Sequence, residues 1–148
     1  LSFSFGGSGP LLHEAAPNHA ADLTVSPDRR HLTYRLAGHW PPILLADGCH
    51  VLANEQRGLP LGIGTGPWAD HHLDLPSAWE LVIFTDGLIE GRNGQGEILG
   101  LDGLCGLHDE LDGPLDGEAL VAQVEALNGG PIGDDVALVA LTFCPRGS

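Results

Sequence analysis

The sequence predicts an α+β fold with mostly antiparallel strand pairing, and three observations lead there. Strand-like segments fill the first half, two helical patterns follow, and one strand closes the order. Strands and helices are thus segregated rather than alternating, which favours antiparallel over parallel sheets. Two strand pairs are joined by turn chemistry, at Pro27-Asp28-Arg29-Arg30 and at Asp47-Gly48, and read as hairpins. The length, 148 residues with 43% hydrophobic, suits a single domain with a real core, and there is no internal repeat.

Taken in order, Gly6-Gly7-Ser8-Gly9-Pro10 has the composition of a linker or loop, and residues 1–20 are expected to be a linker or remnant. Alternation from Ala21 to Ser26 predicts a strand, with His31-Leu32-Thr33-Tyr34-Arg35-Leu36 as its hairpin partner. Gly38-His39-Trp40-Pro41-Pro42 ends that strand, because two prolines cannot donate to a ladder. Ile43–Ala46 and His50–Leu52 form the second hairpin. A polar, glycine-rich connection runs from Asn54 to about Asp70, and Leu73-Asp74-Leu75 follows as a short edge strand. In Trp79–Phe84 the apolar run is continuous from Leu81, which predicts a strand buried on both faces. Leu101, Leu104, Leu107 and Leu111 recur at helical spacing, as do Leu120, Val121, Val124 and Leu127, with Asp116 as N-cap. After the turn Asn128-Gly129-Gly130-Pro131, the run Val136–Leu141 predicts the last strand, buried like Leu81–Phe84.

The charge is lopsided: 20 acids against 6 arginines and no lysine, a net of −14 with a pI near 4.6. No basic patch exists to meet nucleic acid or an anionic membrane, so neither is expected as a partner. No apolar run approaches the ~20 residues that span a bilayer, and no signal peptide is visible. The three cysteines, Cys49, Cys105 and Cys144, are widely spaced and form no C-x-x-C pair. Neither a disulfide framework nor a cysteine-based zinc site is expected, and a reducing cytoplasm fits best. Methionine is absent and the chain opens at Leu1, which leads to the expectation of a partial domain.

Acid chemistry is expected in the second part, where residues 61–148 carry fifteen acids and two arginines. Asp86 ends one apolar strand and precedes a glycine, while Asp134 precedes another strand and follows a glycine. If those strands are adjacent and antiparallel, both carboxylates project from one sheet edge, a hard-oxygen set suited to Mg²⁺ or Mn²⁺. Asp-Gly is also a common turn dipeptide, and an Asp before a strand often caps free backbone donors. The twelve residues Asp86–Glu97 imitate the glycine and acid positions of a calcium loop. Leu88 at position 3 and Arg92 at position 7 exclude that reading. Adjacent His71-His72 point to opposite faces of a strand and cannot chelate together, and no H-x-x-x-H is present, so zinc is not expected. No G-x-S-x-G elbow or Gly-rich loop followed by Lys-Ser/Thr is found either.

Four segments then carry a resemblance. Leu36-Ala37-Gly38-His39-Trp40-Pro41-Pro42-Ile43-Leu44-Leu45 is similar to an A-G-H-x-P-P segment, and Gly58-Leu59-Pro60-Leu61-Gly62 to a G-L-P-L-G segment. Leu81-Val82-Ile83-Phe84-Thr85-Asp86-Gly87-Leu88-Ile89-Glu90 resembles an apolar strand ending T-D-G-[VL]-x-E, and Asp134-Asp135-Val136-Ala137-Leu138-Val139 a terminal D-D strand. In this order, over residues 21–143, they resemble bacterial metal-dependent protein serine/threonine phosphatases of the SpoIIE/RsbU type (PPM-type).

The resemblance implies an antiparallel β-sandwich flanked by helices, an α-β-β-α fold, and a two-metal Mn²⁺ or Mg²⁺ centre that activates water for in-line attack on phosphoserine or phosphothreonine. It implies Asp86 and Asp134 as metal ligands, with Asp135, Gly87 and His39 in supporting or structural roles; no residue is assigned as catalytic acid, base or nucleophile. The family's G-D-x-[YW]-D and D-x-x-G-H-G segments are missing here, so the chain is expected to hold half a site. The implied partner is a phosphorylated regulatory protein, by analogy an anti-sigma antagonist, in the cytoplasm. A non-catalytic, partner-binding or regulatory phosphatase-like domain is the alternative. An exposed sheet edge is expected to permit a homodimer.

Overall fold

A computed structural model describes residues 2–7 (backbone only), 19–53, 57–63, 66–92, 95–111 and 113–145. The chain divides into two compact units, residues 1–41, 53–79 and 143–148 in the first, and 42–52 and 80–142 in the second.

The first unit is built on a four-stranded antiparallel sheet in the order β1-β2-β3-β6. Its strands are β1 (Ser2–Gly7), β2 (His19–Val25), β3 (His31–Ala37) and β6 (His71–Asp74). The expected hairpin is β2–β3, with Leu23 opposite Tyr34 and Asp22 opposite Arg35. Alternation decides which face is buried: Ala21, Leu23, Val25, Leu32, Tyr34 and Leu36 are inside. On the other face Arg35 binds Asp70 through two hydrogen bonds, and its guanidinium holds the Asp70 carboxyl below the ordinary carboxylate range. The expected edge strand is β6, where His71 stacks on Tyr34 with ring centroids 4.7 Å apart while His72 meets Thr33 at 3.1 Å. The two histidines do face opposite ways.

One expectation fails at the start of this sheet. Gly6 and Gly7, expected within a linker, complete β1 and pair with Ala20 and His19. Backbone pairing with a neighbouring strand outweighs glycine's weak strand preference here. Ser8-Gly9-Pro10 and residues 11–15 lie outside the described residues.

Two of the four motif segments join within this unit. The Gly38 N–H donates to the Gly58 carbonyl at 2.8 Å, and the Gly58 N–H to the Leu36 carbonyl at 3.1 Å. The Arg57 guanidinium lies 4.7 Å from the Trp40 ring centroid, a cation–π contact across the same junction.

The second unit carries the sheet β5-β4-β7-β8, from β4 (Ile43–Ala46), β5 (Gly48–Val51), β7 (Trp79–Phe84) and β8 (Leu138–Phe143). As expected, β4 and β5 form a hairpin at Asp47, and Leu81, Val82, Ile83 and Phe84 are all buried. β8 lies beside β7 and runs antiparallel to it. At one end the Thr85 N–H donates to the Ala137 carbonyl at 2.9 Å; at the other the Thr142 hydroxyl donates to Glu80 at 2.7 Å. The last strand begins two residues later than expected and is half-exposed rather than buried, because it ends the sheet order and has one hydrogen-bonded neighbour.

Helices α1 (Gly100–Glu110) and α2 (Gly117–Asn128) match the two leucine patterns and bury Leu104, Leu107, Leu120 and Val124. The Asp116 carboxylate accepts from the Ala119 N–H at 3.0 Å, the expected N-cap. At the other end Gly129, at φ 74°, returns its N–H to the Ala126 carbonyl. No helix among the described residues is long and apolar enough to cross a membrane.

The cysteine expectation is overturned: Cys49 on β5 and Cys105 on α1 form a disulfide, with Cα atoms 5.4 Å apart. Spacing in sequence does not reveal pairing across 56 residues; the packing of α1 on β5 brings the two together. Cys144 is the free, exposed thiol. Alkylation of the oxidised protein should label one cysteine before reduction and three after it. Cys105→Ser should lower unfolding free energy by about 2–4 kcal/mol, and Asp116→Ala by about 1 kcal/mol, both read from denaturant titration.

Candidate functional site: two carboxylates at a strand crossing

β7 delivers Thr85 and Asp86 at its end, where Asp86–Leu88 turns as a single 3-10 helix. The chain preceding β8 delivers Asp134 and Asp135. Thr85 fastens the two segments: its hydroxyl donates to the Asp135 carbonyl at 2.9 Å and accepts from the Ala137 N–H at 2.9 Å. The loop after Asp134 is therefore zipped to the end of β7 before β8 begins, so the segments carrying Asp86 and Asp134 run side by side.

Gly87 shows how tight this junction is. A Cβ at that position would lie 2.8 Å from the Asp135 carbonyl oxygen and 3.4 Å from the Asp134 Cβ. Only glycine lets the Asp86 turn sit directly on Asp134-Asp135. Asp86 is half-buried, whereas Asp134 and Asp135 are exposed. The Asp134 carboxylate accepts from the Asp135 N–H at 2.8 Å, which orients it within its own loop.

Beside the junction lies a cleft of about 310 Å³, lined by Gly87, Glu90, Gly91, Asn128, Ile132, Gly133 and Asp134. A larger cleft, about 720 Å³, is lined by Leu115, Glu118, Val121, Glu125 and Leu138 and holds none of the motif acids. The smaller one is the better candidate because its polar lining comes from both acid-bearing loops. His39, the remaining residue singled out by the sequence, belongs to the first unit. It is 8% exposed, and its Nδ1 lies 2.7 Å from the Trp40 carbonyl.

Thr85 and Asn128 are the site residues that the sequence reading does not single out. Thr85 stands within the T-D-G motif, where the following Asp draws the attention. Asn128 reads only as a turn residue before Gly129-Gly130, and nothing local marks its reach to Arg92.

Aspartate carboxylates are hard oxygen donors of the kind a divalent cation takes, and backbone packing at Gly87 sets the segments carrying Asp86 and Asp134 side by side. In number the set is small: among the described residues no group of three or more His, Cys, Asp or Glu could hold a metal ion.

No curated protein matches the chain. Among solved structures, the RsbU and RsbW domains of Rv1364c from Mycobacterium tuberculosis match at 24% identity and TM-score 0.68, over 88% of this chain and 38% of that one. The SiaA-PP2C domain of Pseudomonas aeruginosa matches at 23% identity and TM-score 0.70, over 88% and 53%. The phosphatase domain of the cell fate determinant SpoIIE from Bacillus subtilis (Mn presoaked) matches at 16% identity and TM-score 0.64, over 87% and 59%. These likenesses show a shared fold, and the chain spans between 38% and 59% of those three structures. The family model for stage II sporulation protein E (SpoIIE) matches residues 19–143, which hold all four motif segments. The chain therefore belongs to the SpoIIE family.

Proposed function

We propose that this chain serves metal-dependent hydrolysis of phosphoserine or phosphothreonine on a regulatory protein, with Asp86 and Asp134 as its metal ligands. The observation that supports the reading is the junction at Gly87, where the backbone of one acid-bearing motif packs on that of another. Mn²⁺ or Mg²⁺ bound there would supply Lewis acidity and neutralise phosphoryl charge during attack by water. Asp86 and Asp134 would hold the cation, Thr85 and Gly87 would fix their separation, and Asp135 would contribute its backbone to that fixation. Glu90, on the cleft wall, adds negative charge that favours a cation over a bare phosphate. His39, paired to a backbone carbonyl, is read as shaping its own loop.

By analogy with the family, the substrate is a phosphorylated anti-sigma antagonist protein and the setting is the cytoplasm. There the half-buried Cys49 and Cys105 would face a reducing thiol pool. One observation favours a second reading, a non-catalytic regulatory domain. Two carboxylates leave most of a six-oxygen shell to water or to further ligands, and the described residues supply no third member.

The protein expressed from its complete coding sequence should hydrolyse p-nitrophenyl phosphate or a phosphoserine peptide only with Mn²⁺ or Mg²⁺. Removing even a supporting neighbour of a metal ligand typically costs 10–100-fold, so Asp86→Asn should lower kcat/KM by at least ~100-fold with an unchanged circular dichroism spectrum. Turnover unaffected by that change would sink the assignment; no turnover under any metal condition would favour the regulatory reading. Gly87→Ala removes no donor atom, yet its new methyl group must displace the Asp135 carbonyl. It should lower stability by about 1–3 kcal/mol, read from thermal unfolding, and reduce activity as well.

A further inference from the structure

We propose that Asn128 is a positioning residue whose single amide sets the separation between the loops carrying Asp86 and Asp134. The proposal rests on the reading of those carboxylates as cation ligands and adds a device that holds them in register.

Asn128 is the last residue of α2, half-buried, and it lines the cleft beside Asp134. Its Oδ1 accepts from the Arg92 N–H at 3.2 Å, on the chain that leaves the Asp86 turn. Its Nδ2 donates to the Pro131 carbonyl at 3.2 Å and to the Gly130 carbonyl at 3.4 Å, on the chain that leads to Asp134. One planar amide thus ties backbone groups of both loops, six residues after one carboxylate and three before the other. The helix end is itself held in place: a Cβ on Gly91 would lie 2.6 Å from Val124 Cγ1, so α2 packs directly on the chain beside Arg92.

The chemistry selects asparagine. The position needs an acceptor toward Arg92 and donors toward two carbonyls, in one short fork. A carboxylate could accept from Arg92 but would set its lone pairs against the Gly130 and Pro131 oxygens. Leucine, of similar size, could satisfy neither side. Ordinary helix-end capping would account for the bonds to Gly130 and Pro131, which follow directly in sequence. It would not require the bond to Arg92, 36 residues away. That cross-chain bond makes the residue a tie rather than a cap.

The test compares Asn128→Ala with Asp116→Ala, which weakens the same helix at its far end without touching either loop. Two quantities are read on the full protein: Mn²⁺ affinity by calorimetry, and amide hydrogen exchange across residues 130–135 without metal. Asn128→Ala should weaken Mn²⁺ binding by about 10–100-fold and speed exchange at 132–135. Asp116→Ala should lower the melting temperature while leaving Mn²⁺ affinity within about twofold. If Asn128→Ala does not fold, Asn128→Ser, too short to span both loops, should show the same two effects. Unchanged exchange at 132–135 together with unchanged affinity overturns the proposal, as do equal losses in the two variants. Should the wild-type protein fail to bind Mn²⁺, the metal reading falls. Exchange in the metal-free protein then decides the tie by itself: faster exchange in Asn128→Ala supports it and unchanged exchange overturns it.

Discussion

The candidate site depends on a backbone contact, the seating of Gly87 against the Asp135 carbonyl, where a methyl group would stand 2.8 Å from that oxygen. Two acid-bearing loops of an acidic chain would ordinarily drift apart, since each carries carboxylates that repel the other. Here the approach is enforced before any charge is considered. β7 is buried along four consecutive residues, so its end is a fixed point. Thr85 spends both its donor and its acceptor on the chain of Asp135 and Ala137, and glycine removes the last steric obstacle. On the proposed reading, carboxylates carried by segments so packed would meet the cost of their approach during folding and not at cation binding.

The rest of the second unit serves that fixed point. α2 is capped at both ends, by Asp116 and by Gly129, so its length and register are set locally. Its buried Leu120 and Val124 then fix where its last residue stands relative to Gly91 and Arg92. In the first unit the same logic recurs without acids. Gly38 donates to the Gly58 carbonyl and Gly58 to the Leu36 carbonyl, joining two motif segments that look unrelated in sequence. There the motif glycines mark backbone approach rather than chemistry.

Much of this was legible in the sequence, for physical reasons. The hairpin at Asp47-Gly48, the buried run Leu81–Phe84 and the Asp116 cap are local features, decided by turn chemistry, periodicity and capping. The family assignment was legible because four spaced motifs repeat one order. What escaped was non-local. Gly6-Gly7 entered a strand because a neighbouring strand offered them a ladder. Cys49 and Cys105 met because α1 packs on β5. Asn128 reached Arg92 because the end of a helix was placed there by contacts elsewhere. Each of these is settled by a partner distant in sequence, which no window of neighbouring residues contains.

The disulfide has a topological consequence. With Cys49 joined to Cys105, the chain between them closes into a covalent ring. Asp86 lies inside that ring, while Asp134 and Asn128 lie on the tail that leaves it. The junction at Gly87 is therefore a contact between a ring and its own tail. A single cut anywhere between residues 49 and 105 opens the ring but frees nothing, so both carboxylates stay on one covalent molecule. In the reduced chain a cut between residues 86 and 105 separates them into two pieces.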